Sequence, residues 1–323
     1  MSFNIEVQSG SSVRLPTKGK YCDRDIVVTA TGGSGGANEL KITDASYLFY
    51  NEARFDVFEL LCDAITKECT DFSSIFYNCK TLTTIPQLDT SNGTAFIAMF
   101  YGCSKLTTIP QLDTSKGIKF GSMIRGCSEL TTIPQLDTSN GTDFQYMFYG
   151  CSKLTTIPQL DTSNGTNFTQ MFCNCYKLTT IPQLDTSNGT SFSQMFSGCQ
   201  ELIAIPQLDI GKATALTSVF SNCIQLTDLY LYNIRQTITI ALGSNSGRLL
   251  TVDSLVHTIK ELCSVTKQQT LTMGSINLEK ISGLYCKIID DTHEKKTMEL
   301  CESTDEGAMT LVDYALTKNW SIT

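Results

Sequence analysis

The sequence predicts a mainly β or irregular solenoid of seven stacked 24-residue coils, with a small N-terminal β module and an α+β C-terminal cap. Six of the seven prolines recur at one phase of this period, which is typical of repeat architectures. Seven of the 14 cysteines recur at another phase, namely Cys79, Cys103, Cys127, Cys151, Cys175, Cys199 and Cys223. Cysteines at one fixed phase are positional, so we expect a structural ladder of buried free thiols rather than disulfides between neighbouring coils.

One repeat is too small to fold alone. The apolar side chains of a 24-residue unit cannot offset the entropy lost when its backbone is ordered. Neighbouring units must therefore stack and share their buried faces. A parallel ladder would place successive coils about 4.8 Å apart.

The segment "CSKLTTIPQLDTSNGT", residues 151–166, predicts the strand and the turn of one coil. "KLTTI" reads as a short strand that should end at Pro158, because proline has no N–H for a ladder. "DTSNG" reads as a turn in which Asp161 caps the backbone and Asn-Gly adopts positive φ. The Phe-x-x-Met-Phe segment that returns to the next cysteine could be extended or a single helical turn.

The ends of the chain differ from the repeat in composition. "SSVRL" and "DIVVTA" predict short strands near the N-terminus, and apolar spacing from Phe55 to Ile65 predicts a capping helix. Val252, Leu255 and Ile259 predict another helix, and a last one is expected from about Asp305 to Asn319, with Trp320 closing the end. The resulting divisions are a β attachment module (1–31), a Gly/Ser linker (32–37), an N-terminal cap (38–71), the repeat solenoid (72–239) and a C-terminal cap (240–323).

A hairpin is expected as an insertion in the C-terminal cap, near residues 284–303. A symmetrical six-residue loop from Asp291 to Lys296 would place Cys286 opposite Cys301. A disulfide between these two cysteines is an open alternative to two reduced thiols.

Composition excludes several classes of function. The net charge of −8 argues against nucleic-acid binding, which depends on basic residues that neutralise phosphates. We see no basic membrane patch, no secretory signal and no apolar run of the roughly 20 residues that span a bilayer. The sequence therefore predicts a protein made in the cytoplasm, without nucleic-acid binding or membrane insertion.

Residue patterns for catalysis, metals and cofactors are weak. His257 and His293 stand far apart and outside any catalytic motif, so we expect both at the surface. A row of aspartates in the "DTS" turns could bind Ca²⁺ through oxygen ligands, but turn capping explains it equally simply. We expect no enzyme, no metal and no cofactor.

One column of the repeat varies while its neighbours stay fixed. The residue two positions before the cysteine is Tyr77, Tyr101, Arg125 or Tyr149 in four of the coils, and Tyr146 lies nearby. Tyrosine and arginine in one stripe suit sugar stacking or protein contact. These five residues are the candidate ligand-binding stripe. The alternative is that they stack on one another and shield the coil.

The pattern "MFYGCSKLTTIPQLDTSNGT" resembles the BspA-like, treponemal class of leucine-rich repeats over about Asp71 to Asn233. That resemblance implies a right-handed, strand-lined leucine-rich-repeat solenoid used for binding. Near the N-terminus, "GKYCDRDIVVTA" resembles a module at the N-termini of tail-associated proteins of phages and prophages in gut bacteria. Such a module would attach the protein to a virion.

Together these resemblances predict a non-enzymatic phage tail fibre or baseplate accessory protein. Its N-terminal module would bind a tail or baseplate protein, and its solenoid would bind a host surface glycan or protein. The alternative is a bacterial surface adhesin or protein-interaction protein of the same repeat class, located on the cell surface instead of the virion. The sequence leaves the oligomeric state open, with self-association on the virion as one alternative.

Overall fold

The computed structural model describes residues 12–16, 25–31, 39–41, 45–51, 68–234, 240–241, 250–262, 269–272, 279, 281–292, 295–318 and 320–322. Three features expected from the sequence lie outside these residues: the capping helix from Phe55 to Ile65, the linker at 32–37, and His293.

An antiparallel sheet forms the N-terminal module. Its strands are β1 (Ser12–Pro16), β2 (Asp25–Thr31) and β3 (Glu39–Lys41), in that spatial order. The predicted boundaries put β3 in the cap, beyond a linker, but β3 pairs with β2 from Thr31–Glu39 to Thr29–Lys41. The N-terminal sheet thus extends past the predicted boundary at residue 31, and the predicted domain division otherwise stays a prediction. A two-stranded hairpin is marginal in water, and the third strand completes a sheet with a better chance of standing alone.

Successive repeats lie side by side in parallel register. They are joined by the bridges Asp71–Ala95, Ala95–Lys119, Lys119–Asp143, Asp143–Asn167, Asn167–Ser191 and Ser191–Ala215. The two partners of each of these bridges are 24 residues apart in sequence, so each repeat pairs with the next one along the chain. These bridges support the leucine-rich-repeat-type solenoid, which remains a prediction.

The return segments carry most of the hydrogen bonds between repeats. The N–H groups of Phe96, Ala98, Phe100 and Gly102 donate to carbonyl oxygens of the next repeat at 2.7–2.9 Å. The N–H groups of Met99, Tyr101 and Cys103 donate to the carbonyl three residues earlier at 3.1–3.3 Å. The segment is thus neither an extended strand nor a helical turn. Its alternation depends on positive φ at Ala98 (53°) and Gly102 (72°).

The "KLTTI" segments pair much less than predicted. In most repeats they contribute a single backbone bond, such as Thr107 N to Thr83 O at 3.0 Å. Full strands form only in the last repeats, where β4 (Ala204–Asp209) pairs in parallel with β5 (Asp228–Tyr232). β4 also continues through Pro206 rather than ending there. The register shifts between Ile205 and Gln207, so the ladder passes over the residue that lacks an N–H.

Glutamine side chains bridge the repeats directly after each proline. Gln135 Nε2 donates to Gln159 O of the next repeat at 2.6 Å and to its neighbour Leu136 O at 3.1 Å. The same pair of bonds recurs at Gln87, Gln111, Gln159 and Gln183. Side-chain amides therefore link the repeats where the backbone ladder is interrupted.

The "DTSNG" turn confirms one prediction and corrects another. Asp161 Oδ1 accepts hydrogen bonds from Ser163 N at 3.0 Å and Ser163 Oγ at 2.7 Å, which is the expected cap. Asn164 and Gly165 do not have positive φ. Glycine is required here for space, because a Cβ on Gly165 would lie 2.5 Å from Phe168 Cζ.

Phenylalanine rings stack through the core of the repeats. The rings of Phe120, Phe144 and Phe168 are fully buried, with centroids 5.8–5.9 Å apart and planes within 8°. A second stack runs from Phe148 through Phe172 to Phe196. Each repeat therefore buries its aromatic side chains against its neighbours.

Short helices lie in the described part of the C-terminal region. Helix α1 (Val252–Lys260) lies where the apolar spacing predicts one and buries Leu255 and Ile259. Helix α2 (Leu311–Thr317) is shorter than the predicted helix from Asp305 to Asn319. Gly307 has a φ of 77°, and the side chain of Thr310 caps the helix by accepting from Asp313 N at 3.1 Å, so the helix begins later.

The described part of this region also contains two small sheets. The parallel sheet contains β6 (Ile240–Ala241), β7 (Gln269–Thr272) and β11 (Trp320–Ile322), in the order β11-β7-β6. The antiparallel sheet contains β8 (Tyr285–Thr292), β9 (Lys295–Cys301) and β10 (Met309–Thr310), in the order β10-β8-β9.

The β8–β9 hairpin corrects the predicted pairing of its cysteines. Its strands pair as far as Thr292–Lys295, so the loop is shorter than six residues. Cys286 therefore lies opposite Leu300, and Cys301 lies opposite Tyr285. Neighbouring positions on a strand face opposite sides of a sheet. Accordingly Cys286 is buried while Cys301 is partly exposed, and this register disfavours a disulfide.

Candidate binding surface

The seven repeat cysteines form an inner column with no exposed surface. Each thiol points to the preceding repeat; Cys151 Sγ, for example, donates to Ile124 O at 3.1 Å. The same carbonyl accepts a bond from Cys127 N at 3.2 Å. Burial raises the pKa of Cys151 to about 12, so its thiol stays protonated near neutral pH. These cysteines are structural donors and not activated nucleophiles.

The sequence-predicted stripe forms a column of stacked side chains on the repeats. We define the outer column as Tyr50, Tyr77, Tyr101, Arg125, Tyr146 and Tyr149. The rings of Tyr77 and Tyr101 stack with centroids 4.4 Å apart and planes 6° apart. Tyr50 stacks on Tyr77 at 4.7 Å. The structure therefore brings the five predicted residues together and adds one.

Tyr50 was missed because it lies outside the regular 24-residue phase. It precedes Tyr77 by 27 residues, so counting by the period passes over it. A signal was nevertheless available: the triplet Phe49-Tyr50-Asn51 matches Phe76-Tyr77-Asn78. Phe49 also stacks on Phe76, at 5.2 Å, which places both triplets in equivalent positions.

Arg125 occupies the centre of the outer column. The Arg125 Cζ atom lies 5.2 Å from the ring centroid of Tyr101, 4.4 Å from that of Tyr149 and 4.6 Å from that of Tyr146. Such contacts are favourable cation–π interactions. Among the described residues, no carboxylate pairs with this guanidinium, and no hydrogen-bond acceptor contacts it.

The outer column is half-buried throughout. Neighbouring rings cover one another's faces where they are stacked, from Tyr50 through Tyr77 to Tyr101, whereas Tyr146 and Tyr149 meet edge to face. Burial, and then the nearby Tyr101 hydroxyl, raise the pKa of Tyr77 to about 12, so its hydroxyl remains a donor. The side chains stack on one another, as the shielding alternative expects, and binding by this half-exposed column stays a prediction.

The outer column ends after Tyr149. The next repeats have Cys173, Ser197 and Ser221 at the equivalent positions. Cys173 is only 6% exposed, and the Asn174 amide donates to the Tyr149 hydroxyl at 3.4 Å. The aromatic surface is therefore confined to the N-terminal part of the repeats.

The other candidate groups are engaged in structural contacts. His257 packs edge-on against the rings of Tyr230 and Tyr232, with centroids 5.2 and 4.6 Å away, and is half-buried rather than a surface residue as expected. The turn aspartates accept bonds from serine, as described for Asp161. Within the described part of the chain, no cluster of three or more His, Cys, Asp or Glu residues could hold a metal ion.

Comparison with known proteins identifies a repeat family. The family described as "Mycoplasma protein of unknown function, DUF285" matches residues 36–131 and 142–241, which together exceed half of the chain. A comparison with curated proteins found no match. None of the helices in the described ranges is both long and apolar enough to cross a membrane.

Proposed function

Since the chain belongs to the DUF285 family of BspA-like repeat proteins, we propose that it is a non-enzymatic protein that binds a host cell surface through its outer column. The observation that carries this proposal is the caged arginine: Arg125 is held by three tyrosine rings and lacks a carboxylate partner among the described residues. Tyrosine and arginine are enriched among residues that dominate binding energy.

The proposed setting is a phage tail fibre or baseplate. The resemblance of "GKYCDRDIVVTA" to tail-associated modules supports it, with the N-terminal module attaching to the virion and the repeats contacting a surface glycan or protein. Several copies on one particle would raise the overall avidity of weak contacts.

The second candidate is a bacterial surface adhesin or interaction protein. The family match supports it in so far as it places the repeats among BspA-like repeat proteins. Mass spectrometry separates the two candidates. The phage proposal expects the protein in purified virions, whereas recovery only from the bacterial cell-wall fraction would replace it with the adhesin.

A paired substitution tests the outer column in either setting. Tyr101→Ala with Tyr149→Ala should weaken cell attachment about tenfold or more, as expected when binding-energy hot spots are truncated. The matched control is Thr108→Ala with Thr156→Ala, which alters exposed side chains of the same two repeats. Unchanged attachment by the tyrosine variant would reduce the column to a structural stack.

A further inference from the structure

The geometry of the outer column points to a specific ligand class: we propose that it binds a glycan bearing carboxylate groups, with Arg125 contacting the carboxylate. This inference rests on the proposed function and names the chemistry of the same surface.

The first step concerns the guanidinium N–H donors of Arg125. A guanidinium carries five N–H donors in a plane and cannot lose its charge in a protein. The rings of Tyr101, Tyr146 and Tyr149 surround it at 4.4–5.2 Å and remove part of its hydration. Among the described residues this partly desolvated cation has no hydrogen-bonded acceptor, and an incoming anion would supply one.

The second step concerns the shape of the anion. The planar guanidinium fork matches a planar carboxylate through two parallel hydrogen bonds. The gap between Tyr101 and Tyr149 holds one flat group, because both rings contact the same guanidinium. Because Arg125 is half-exposed, a carboxylate from solvent can reach its guanidinium.

The third step concerns the rest of the ligand. Stacking covers the faces of Tyr50, Tyr77 and Tyr101, so the apolar anchor pockets that typify peptide recognition do not form there. Tyrosine hydroxyl groups lie along the column, and each has both donor and acceptor capacity, of which only part is taken up by contacts such as that from Asn174 to Tyr149. A row of hydroxyls beside one cation complements a hydroxyl-rich, acidic polymer better than an acidic peptide.

The fourth step concerns charge selectivity. The whole protein carries a net charge of −8, so its general field repels anionic polymers. Binding of a carboxylated glycan must then depend on the local cation, and it should weaken as salt increases. Loss of Arg125 should therefore have a much larger effect than loss of another positive charge.

The experiment measures binding of the full chain to three polymers by calorimetry. Polygalacturonate is the carboxylated glycan, dextran is a neutral glycan, and poly-L-glutamate is a carboxylated polypeptide. We expect saturable binding to polygalacturonate. Binding should be at least about tenfold weaker to dextran, which lacks the carboxylate for a charge-assisted hydrogen bond, and to poly-L-glutamate, which lacks the hydroxyl groups that the tyrosines would contact.

The repeat itself supplies the variants. Arg125→Tyr installs the residue found at Tyr77, Tyr101 and Tyr149, so the column should stay stacked and folded while affinity falls about tenfold or more. Arg125→Lys keeps the charge without the fork and should give an intermediate loss. Lys119→Gln removes an exposed charge from the same repeat and should leave affinity unchanged.

Each outcome decides the proposal. Absence of polygalacturonate binding, or equal binding by Arg125→Tyr, overturns it. Equal binding of poly-L-glutamate assigns the surface to an acidic peptide, and equal binding of dextran removes the role of charge. If the tyrosine pair is needed for cell attachment but polygalacturonate does not bind, the proposed function stands and only this ligand class fails.

Discussion

The inner and outer columns follow the same repeat but differ in what they tolerate. The inner column has cysteine in all seven repeats, whereas the position two residues earlier varies: it is tyrosine or arginine in the first four repeats, where it belongs to the outer column, and cysteine or serine in the last three. The inner thiols have no exposed surface and each donates to a neighbouring carbonyl, while most outer side chains are half-exposed. A closed interior admits one size of side chain. At the open surface packing does not fix the side chain, so its identity can be set by function.

The largest expected effect on stability comes from comparing two aromatic residues of one repeat, one in the core and one in the outer column. Phe144→Ala should lower the free energy of unfolding by about 3–5 kcal/mol, because it empties a site between two stacked rings. Tyr149→Ala should cost about 0.5–1.5 kcal/mol beyond its lost buried area, because only the outer stack is disturbed. Urea unfolding measures both. Equal losses would contradict the distinction between the two columns.

An inner thiol provides a test of intermediate size. Cys151→Ala removes the bond to Ile124 O and should cost about 0.5–1.5 kcal/mol plus a small cavity term. Thr156→Ala, an exposed change in the same repeat, should lie within about 0.5 kcal/mol of the unmodified protein. Both values come from denaturant unfolding near neutral pH. A neutral Cys151→Ala would mean that the thiol only fills space.

The same thiol predicts a loss of stability in alkali. Burial raises the folded-state pKa of Cys151 from 9.0 to about 12, so the unfolded chain releases this proton first. Stability from the buried thiol is present below about pH 9 and falls as pH rises toward about 12. Over that window Cys151→Ala should lose stability less steeply, by up to about 1.4 kcal/mol per pH unit. Identical slopes for both proteins would refute the raised pKa.

The smallest expected effect comes from extending the outer column. Ser197→Tyr places an aromatic residue on a half-exposed position of a later repeat, so stability should change by only about 0.5 kcal/mol. The matched inner change, Cys199→Tyr, would force a large side chain into a fully buried site and should cost several times more. Thermal unfolding compares the two. A destabilised Ser197→Tyr would show that the outer column is also sterically closed.

Sequence reasoning succeeded where the side chain itself carries the information. The turn cap by Asp161 follows from the local Asp-Thr-Ser order, and α1 follows from the spacing of Leu255 and Ile259. Sequence reasoning failed where the structure depends on how two separate backbone segments pair. The pairing of Cys286 with Leu300 depends on loop length and on a bulge between Ile288 and Asp290, neither of which is written at the cysteines.

The candidate site was only partly visible for the same reason. Variation at one phase indicated Tyr77, Tyr101, Arg125 and Tyr149, with Tyr146 nearby, and left binding and stacking as alternatives. The enclosure of Arg125 by three rings became apparent from the contacts between repeats, and so did the place of Tyr50 at the start of the column.

By itself the sequence determined the period, the phase of the buried side chains and the chemistry available on each column. A 24-residue repetition of apolar, proline and cysteine positions leaves few other ways to bury those groups. The tertiary structure alone decided that the return segments, rather than "KLTTI", carry most of the inter-repeat hydrogen bonds, and that a cation is enclosed by rings from adjacent coils. Bonds and contacts between residues about 24 positions apart are settled only when the neighbouring coil is in place, because its backbone supplies the other half of each.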